Sequence, residues 1–320
     1  MGSAPGYEEG GMTDGRQFSN HHEIETDGIC IEAVVQTAVN LALVHNEVPL
    51  VQAVSITNNS LRALADMTLT LNLDGRGMAL AEPWSVTSGE PIPAGGHVRW
   101  DTFPAFAPSY EHLEHLDESH PATLTVSVSR TWGADVRLAV LVQVLAHNEW
   151  LNSPVFFESL AAFVQPNTRA VTTVLDRAAE LLREHTGDAS LGGYQQGPER
   201  ASLIAAAVYE ALRTREIRYL VPPASFEDSG QKVRTTAQVL EQRFGTCVDL
   251  SVTYAACLEQ AGLHPLLWLI NGHAFAGYLR EGGTLGQTVI TESNAMINLV
   301  ESGRAAVSYT HLTLPTNREV

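Results

Sequence analysis

The feature that most constrains this chain is a change of hydrophobic period near residues 150–170. Before it, apolar and polar residues alternate. The alternation is clearest at Met67-Thr68-Leu69-Thr70-Leu71-Asn72-Leu73, in Leu124, Val126 and Val128 against Thr123, Thr125 and Ser127, and in Val136, Leu138, Val140 and Val142. Period two sends every second side chain to one face of a strand, so these runs predict half-buried β-strands. After the change the period is that of a helix. Val171, Val174, Leu175, Ala178, Leu181 and Leu182 share one helical face, and Gly187 follows them. Glu199 to Thr214 reads as a second amphipathic helix, after a loop from Gly192 to Pro198.

A chain of 320 residues has room for two ordinary domains with their own cores. Turn signals at Asn58-Asn59-Ser60, Asp74-Gly75 and Pro93-Ala94-Gly95-Gly96 divide the first region. About seven short strands in roughly 120 residues, Ile29 to Ala146, lead to an immunoglobulin-like β-sandwich. Trp84, Trp100 and Trp132 are then packing residues of its core or rim. The expected plan is a multidomain α+β chain. Residues 1–23 form a disordered lead-in, 24–150 the sandwich, 151–169 a linker marked by Pro154 and Pro166-Asn167, and 170–306 a second, α+β domain. His21-His22 in the lead-in lacks further ligands at useful spacing, so no metal site is read there.

The chemistry gathers on Gly245-Thr246-Cys247-Val248-Asp249-Leu250. Gly245 relaxes the turn and Thr246 can cap, so a helix is predicted with Cys247 in its first turn, where unpaired amides and the positive end of the helix dipole favour thiolate over thiol. Leu250, Tyr254, Cys257, Leu258 and Ala261 continue the helical spacing to a stop at Gly262. A short helix, Thr235 to Arg243, leads in. Pro265-Leu266-Leu267-Trp268-Leu269-Ile270 is an apolar run of strand length that suits an inner strand covered on both faces. Asn271-Gly272 then signals a hairpin, with His273 opening the neighbouring strand. Cys257 and Cys30 lie in apolar runs and read as small core residues. His264 beside Pro265 reads as structural, and Asp249 as half of an ion pair with Arg234 or Arg243.

These residues resemble the transglutaminase-like branch of the papain-like Cys-His-Asp superfamily. Ile217-Arg218-Tyr219, Pro222-Pro223-Ala224-Ser225-Phe226-Glu227, Gly230-Gln231-Lys232-Val233-Arg234, Leu258-Glu259-Gln260-Ala261-Gly262-Leu263 and Gly272-His273-Ala274-Phe275 narrow the resemblance further. They resemble an uncharacterised domain at the N-terminus of very large bacterial proteins carrying helicase-type ATPase and nuclease-like regions. The resemblance is close over about 217–279. It implies an α+β domain with an antiparallel sheet, a Cys247 nucleophile and a His273 base acting on a protein or peptide acyl group, and helicase-type domains downstream. Whether the acyl acceptor is water or an amine stays open, as does a non-catalytic reading in which the chain recruits partners.

An orienting group for His273 follows from a hairpin register. A strand from His273 to Arg280, a loop of Glu281-Gly282-Gly283-Thr284 and a return from Leu285 would set His273 opposite Glu292. The resemblance expects Asp there, so Asn294 or Ser293 are substitutes under a bulge, and the other reading of Glu292 is as the cap of a helix near Ser293. The Cys247 amide is the first oxyanion donor, with Gln242 or Gln231 candidates for the second.

Composition closes off other classes. A formal net charge of −17 argues against binding of nucleic acid by this segment. Three cysteines without CxxC or zinc spacing fit a reducing cytoplasm, no run approaches membrane length, and neither a cofactor motif nor a phosphate-binding Gly-rich loop occurs. The segment from Val307 resembles a translated sequencing adapter, so residues 307–320 are expected to be an artefact outside the fold.

Overall fold

The computed structural model describes residues 19–153, 156–221, 230–270 and 272–308. The chain is mixed α+β with antiparallel sheets, and it divides into two compact units, Met1–Val155 and Phe156–Val320. Among the described residues no helix is long and apolar enough to cross a membrane.

The first unit holds β1 (Ser19–Thr26), β2 (Ile29–Gln36), β3 (Ala38–Val39), α1 (Leu41–His45), β4 (Val51–Asn58), β5 (Thr68–Gly75), β6 (Met78–Ala79), β7 (Trp84–Thr87), β8 (His97–Trp100), α2 (Tyr110–Glu114), β9 (His120–Ser129) and β10 (Val136–Val144). One sheet runs β1-β2-β4-β8, the other β3-β10-β9-β5-β6 with β7 also on β5. The alternating runs are β5, β9 and β10. Their inward faces, Leu69, Leu71, Leu73, Leu124, Val126, Val128, Val140 and Val142, join Ile29, Ile31, Val54 and Ile56 of the other sheet in one core. Each such side chain contributes about 1.5–3 kcal/mol by leaving water. Trp84, Trp100 and Trp132 pack at its margin.

The expected lead-in is shorter than residues 1–23, because Ser19 to Glu23 belong to β1 and pair with β2 from Ser19↔Gln36 to Thr26↔Ile29. Asp27 and Gly28 take φ of 51° and 72° and turn the chain back on itself. A polar edge strand has little hydrophobic period, which is why periodicity passes over it. Residues 1–18 lie outside the described residues.

The second unit begins with a 3-10 helix, Phe157–Phe163, inside the stretch expected to be linker, with Phe156 and Leu160 buried. There follow α3 (Arg169–Thr186), α4 (Gly197–Arg213), β11 (Arg218–Tyr219), α5 (Thr236–Gln242), β12 (Phe244–Gly245), α6 (Cys247–Gln260), β13 (Pro265–Ile270), β14 (His273–Leu279), α7 (Ser293–Glu301) and β15 (Ala305–Ser308). Every residue of α6 from Cys247 to Leu258 is buried. Its core partners are Val171, Val174 and Ala178 of α3, Ile204 and Val208 of α4, Val239 of α5, and Ala276 and Tyr278 of β14.

Two expectations about the sheet need correction. β13 is an edge strand, not an inner one: the order is β13-β14-β15, and β14 is the covered strand. From Pro265 to Leu269 its residues are only half-buried and Ile270 is exposed, so here an apolar run does not mark a covered strand. The second partner of β14 is not a return strand from Leu285. It is β15, with Ala276↔Ser308 and Leu279↔Ala305, while 281–292 form an irregular loop. A Cβ at Gly277 would strike the Ala306 carbonyl, so glycine is what admits this close strand. Val307 and Ser308 are thus part of the fold, contrary to the expected artefact boundary. Residues 309–320 lie outside the described residues, as do 222–229 and Asn271. Gly272 has the left-handed φ of 71° that the hairpin turn between Ile270 and His273 requires.

Candidate functional site: the first turn of helix α6

α6 starts where the sequence predicts because Thr246 has extended backbone and its hydroxyl accepts from Asp249 N–H, while Asp249 returns a carboxylate to Thr246 N–H at 2.8 Å. This capping box satisfies two end amides reciprocally. Asp249 is fully buried and binds more: Oδ1 accepts from Arg234 N–H at 2.7 Å, and Oδ2 pairs with Arg234 Nη1 at 2.9 Å. Arg234, one of the two partners named from sequence, also lays its guanidinium over Phe244, 4.8 Å from the ring centre. A Cβ on Gly245 would come 3.1 Å from Asp249 Cβ and 3.4 Å from Leu250 Cδ2, so glycine lets the incoming strand reach the helix end.

Cys247 is the first residue of this locked turn and is 6% exposed. Its carbonyl accepts from Ser251 Oγ at 2.7 Å. Helix geometry provides no i−4 acceptor for the amides of Cys247 and Val248, and the capping box engages its neighbours instead. β12 pairs in parallel with β11, Tyr219↔Gly245, through Arg218 N–H to Arg243 O and Leu220 N–H to Gly245 O, both 2.9 Å. The pairing brings the Tyr219 hydroxyl into hydrogen-bond contact with the Cys247 sulfur. Burial first, and then this sulfur, push the Tyr219 phenol pKa up. Sequence reasoning placed Tyr219 within a motif and assigned it no role.

The other thiols are suppressed. Cys257 is fully buried mid-helix, and burial pushes its thiol up to about 12. Cys30 Sγ donates to Glu23 Oε1 at 3.3 Å, and burial together with that carboxylate likewise pushes it up to about 12.

His273 opens β14, paired with Ile270, its ring 6.2 Å from that of Phe275, which stacks on Trp268 at 5.8 Å. Its height relative to α6 follows from the far end of the layer. Leu279 N–H donates to His264 O at 3.0 Å, and the Tyr194 hydroxyl donates to Leu279 O at 2.7 Å and accepts from His264 N–H at 2.9 Å. The C-terminal ends of α6 and β14 therefore meet. Both elements are about 20 Å long at 1.5 and 3.3 Å per residue, so His273 stands at the level of the first turn. Strand alternation, however, counts His273 with Phe275 and Gly277, on the face away from Ala276 and Tyr278, which are the residues in the α6 core. Level is shared with Cys247; by strict alternation, face is not.

The remaining candidates are dispersed. Glu292 occupies the N-cap position of α7 without a side-chain capping bond, so the expected cross-strand pair with His273 is absent; Ser293 and Asn294 are in α7 itself. Gln242 is exposed at the end of α5, and Gln231 is buried in the segment leading to Arg234. His264 Nδ1 lies 2.7 Å from Gly283 O, a structural contact. Among the described residues no three His, Cys, Asp or Glu side chains converge as a metal site requires.

No family model and no curated protein matches the chain. Among solved structures it is similar to the solution structure of AT1g01470 from Arabidopsis thaliana, at 9% identity and a TM-score of 0.24, over 40% of this chain and 78% of that one. Similarity at that level carries no argument about fold or activity.

Proposed function

We propose that the second unit is a transglutaminase-like thiol acyl-transfer domain with Cys247 as nucleophile and His273 as base. The observation that carries this reading is the seating of Cys247 at a rigidly capped helix start, its sulfur held against a phenol hydroxyl. In the reaction, His273 takes the thiol proton and the sulfur attacks an acyl carbon of a protein or peptide. The new S–C bond sends the carbonyl electrons to oxygen, where the Cys247 and Val248 amides are the available donors. Collapse expels the amine, which takes the proton from the imidazolium, and water or a second amine then releases the acyl group. The first unit fits an immunoglobulin-like sandwich, and both units fit the N-terminal part of a large bacterial, cytoplasmic helicase-related protein.

The test is acyl trapping. Incubation with p-nitrophenyl acetate is expected to leave one acetyl group on the peptide containing Cys247, to lose it on addition of a small amine, and to leave none in Cys247→Ala. Acetylation confined to lysines would sink the reading. One observation favours the alternative, a non-catalytic interaction module: strand alternation sets His273 on the face turned from α6. In that case Cys247 and its alanine variant behave alike towards the ester.

A further inference from the structure

We propose that β1 is an interface between two copies of this chain, which pair antiparallel along its open edge and join their sheets into one. β1 ends its sheet, in the order β1-β2-β4-β8, so one side of the strand has no neighbouring strand among the described residues. The turn fixes which groups that side carries. Asp27 and Gly28 form a two-residue turn, which makes Thr26↔Ile29 a hydrogen-bonded pair. Bonding alternates along an antiparallel ladder, so Thr26, Ile24, His22 and Asn20 turn their amides and carbonyls to β2. Ser19, His21, Glu23 and Glu25 turn theirs to the open side, where no other backbone group among the described residues bonds them. Eight residues is long for an edge strand left in this state.

Charge selects a second copy as the occupant, and symmetry selects the register. Ile24 packs against the core, so His21, Glu23 and Glu25 share the outer face of the sheet. Within one copy Glu23 stands opposite Glu32, an unfavourable pair that His21, 3.7 Å from Glu32, offsets in part. Asp27 at the turn is already taken by Arg130 at 3.2 Å. Two copies related by a two-fold axis bring one residue of β1 opposite itself. With Glu23 at that centre two carboxylates would meet, and with Ile24 there Glu23 would face Glu25 twice. With His21 at the centre two imidazoles would meet. With His22 at the centre, His21 of each copy faces Glu23 of the other, Cβ to Cβ at about 4.5–5.5 Å, and about eight main-chain hydrogen bonds form. Charges on an edge ordinarily keep strands apart; the order His21, Glu23 is instead complementary to its own reverse.

The test is sedimentation equilibrium of the 320-residue chain from about 1 µM to about 0.1 mM. The parent chain is expected to form dimers within this range. Glu23→Pro removes one outward amide while sparing the β1–β2 ladder, and is expected to be monomeric throughout. His21→Glu sets two carboxylate pairs opposite one another and is expected to weaken association about tenfold. Adding Glu23→Lys to that variant reverses both charges of each pair and is expected to return association to within about threefold of the parent. A parent chain that is monomeric at every concentration overturns the proposal, whether its edge then stands open or is taken by another strand. A dimer that survives Glu23→Pro, or a charge reversal that fails to restore association, overturns it as well. Should Glu23→Pro lose its native circular dichroism, the two charge variants carry the test, since they change only exposed side chains.

Discussion

At the first turn of α6, Thr246, Cys247 and Asp249 are buried with their polar atoms engaged by Arg234, Tyr219 and one another; further along the same helix, Cys257 and Leu258 are buried in the apolar core that α6 shares with α3, α4 and β14. Both ends exclude water, and they do so by different physics. The apolar end gains from contact area and is indifferent to direction. The polar end is stable only while each buried group keeps its partner, because an orphaned buried charge costs several kcal/mol. One cysteine lies at each end, so burial alone does not decide what a thiol can do.

The widest separation between the two ends should appear in thiol reactivity. The folded Cys257 thiol, pushed from 9.0 up to about 12, has about a thousandfold less thiolate near neutral pH than an ordinary thiol, before access is counted. Brief iodoacetamide treatment of native protein should therefore label Cys247 and leave Cys257 unmodified; equal labelling would erase the distinction between the ends. The same shift has a sign for stability. A thiol whose folded pKa is raised stabilises the fold fully below its unfolded value near 9 and loses that contribution as pH climbs towards 12. Urea midpoints should accordingly fall above about pH 9, and less so in Cys257→Ala relative to that variant's own value at pH 7.

Truncation at the apolar end should be the largest loss of stability that leaves the site untouched. Leu258→Ala is expected to remove about 3–4 kcal/mol in urea unfolding through a cavity, with Cys247 alkylation unchanged below the transition. Asp249→Ala is expected to remove about 3 kcal/mol, since Arg234, 28% exposed, regains some water, and to alter Cys247 alkylation as well. Variants with matched stability loss but equal alkylation rates would show that the polar end is scaffolding only. The smallest effect belongs to Thr246→Ala, about 1 kcal/mol for a lost cap, measurable as a shift in urea midpoint.

The helices and inner strands were legible because they carry one-dimensional records: period 3.6 in Val171 to Leu182, period two in Leu124 to Val128, and the Gly245-Thr246 start of α6 with its stop at Gly262. The strand Ser19–Thr26 was not legible, since a polar edge strand buries too little to show a period. Nor was the edge position of β13, whose apolar residues stay half-buried or exposed and so break the link between an apolar run and an inner strand. The expected Glu292 register failed for a related reason: a hairpin is the shortest closure, and the chain instead closes β14 with β15 after a loop and a helix.

By itself the sequence determined which stretches become helices and strands, that Cys247 would open a capped helix, and that Asp249 would seek an arginine. These follow from neighbours along the chain, whose spacing and hydrogen-bonding chemistry act over a few residues. Tertiary structure alone decided that β11 pairs with β12 beside Cys247, that β14 starts at the level of the first turn of α6, and that no strand pair sets Glu292 opposite His273. Each depends on which strand pairs with which and in what register. That choice is made by the packing of the whole core and leaves no periodic trace in the residues themselves.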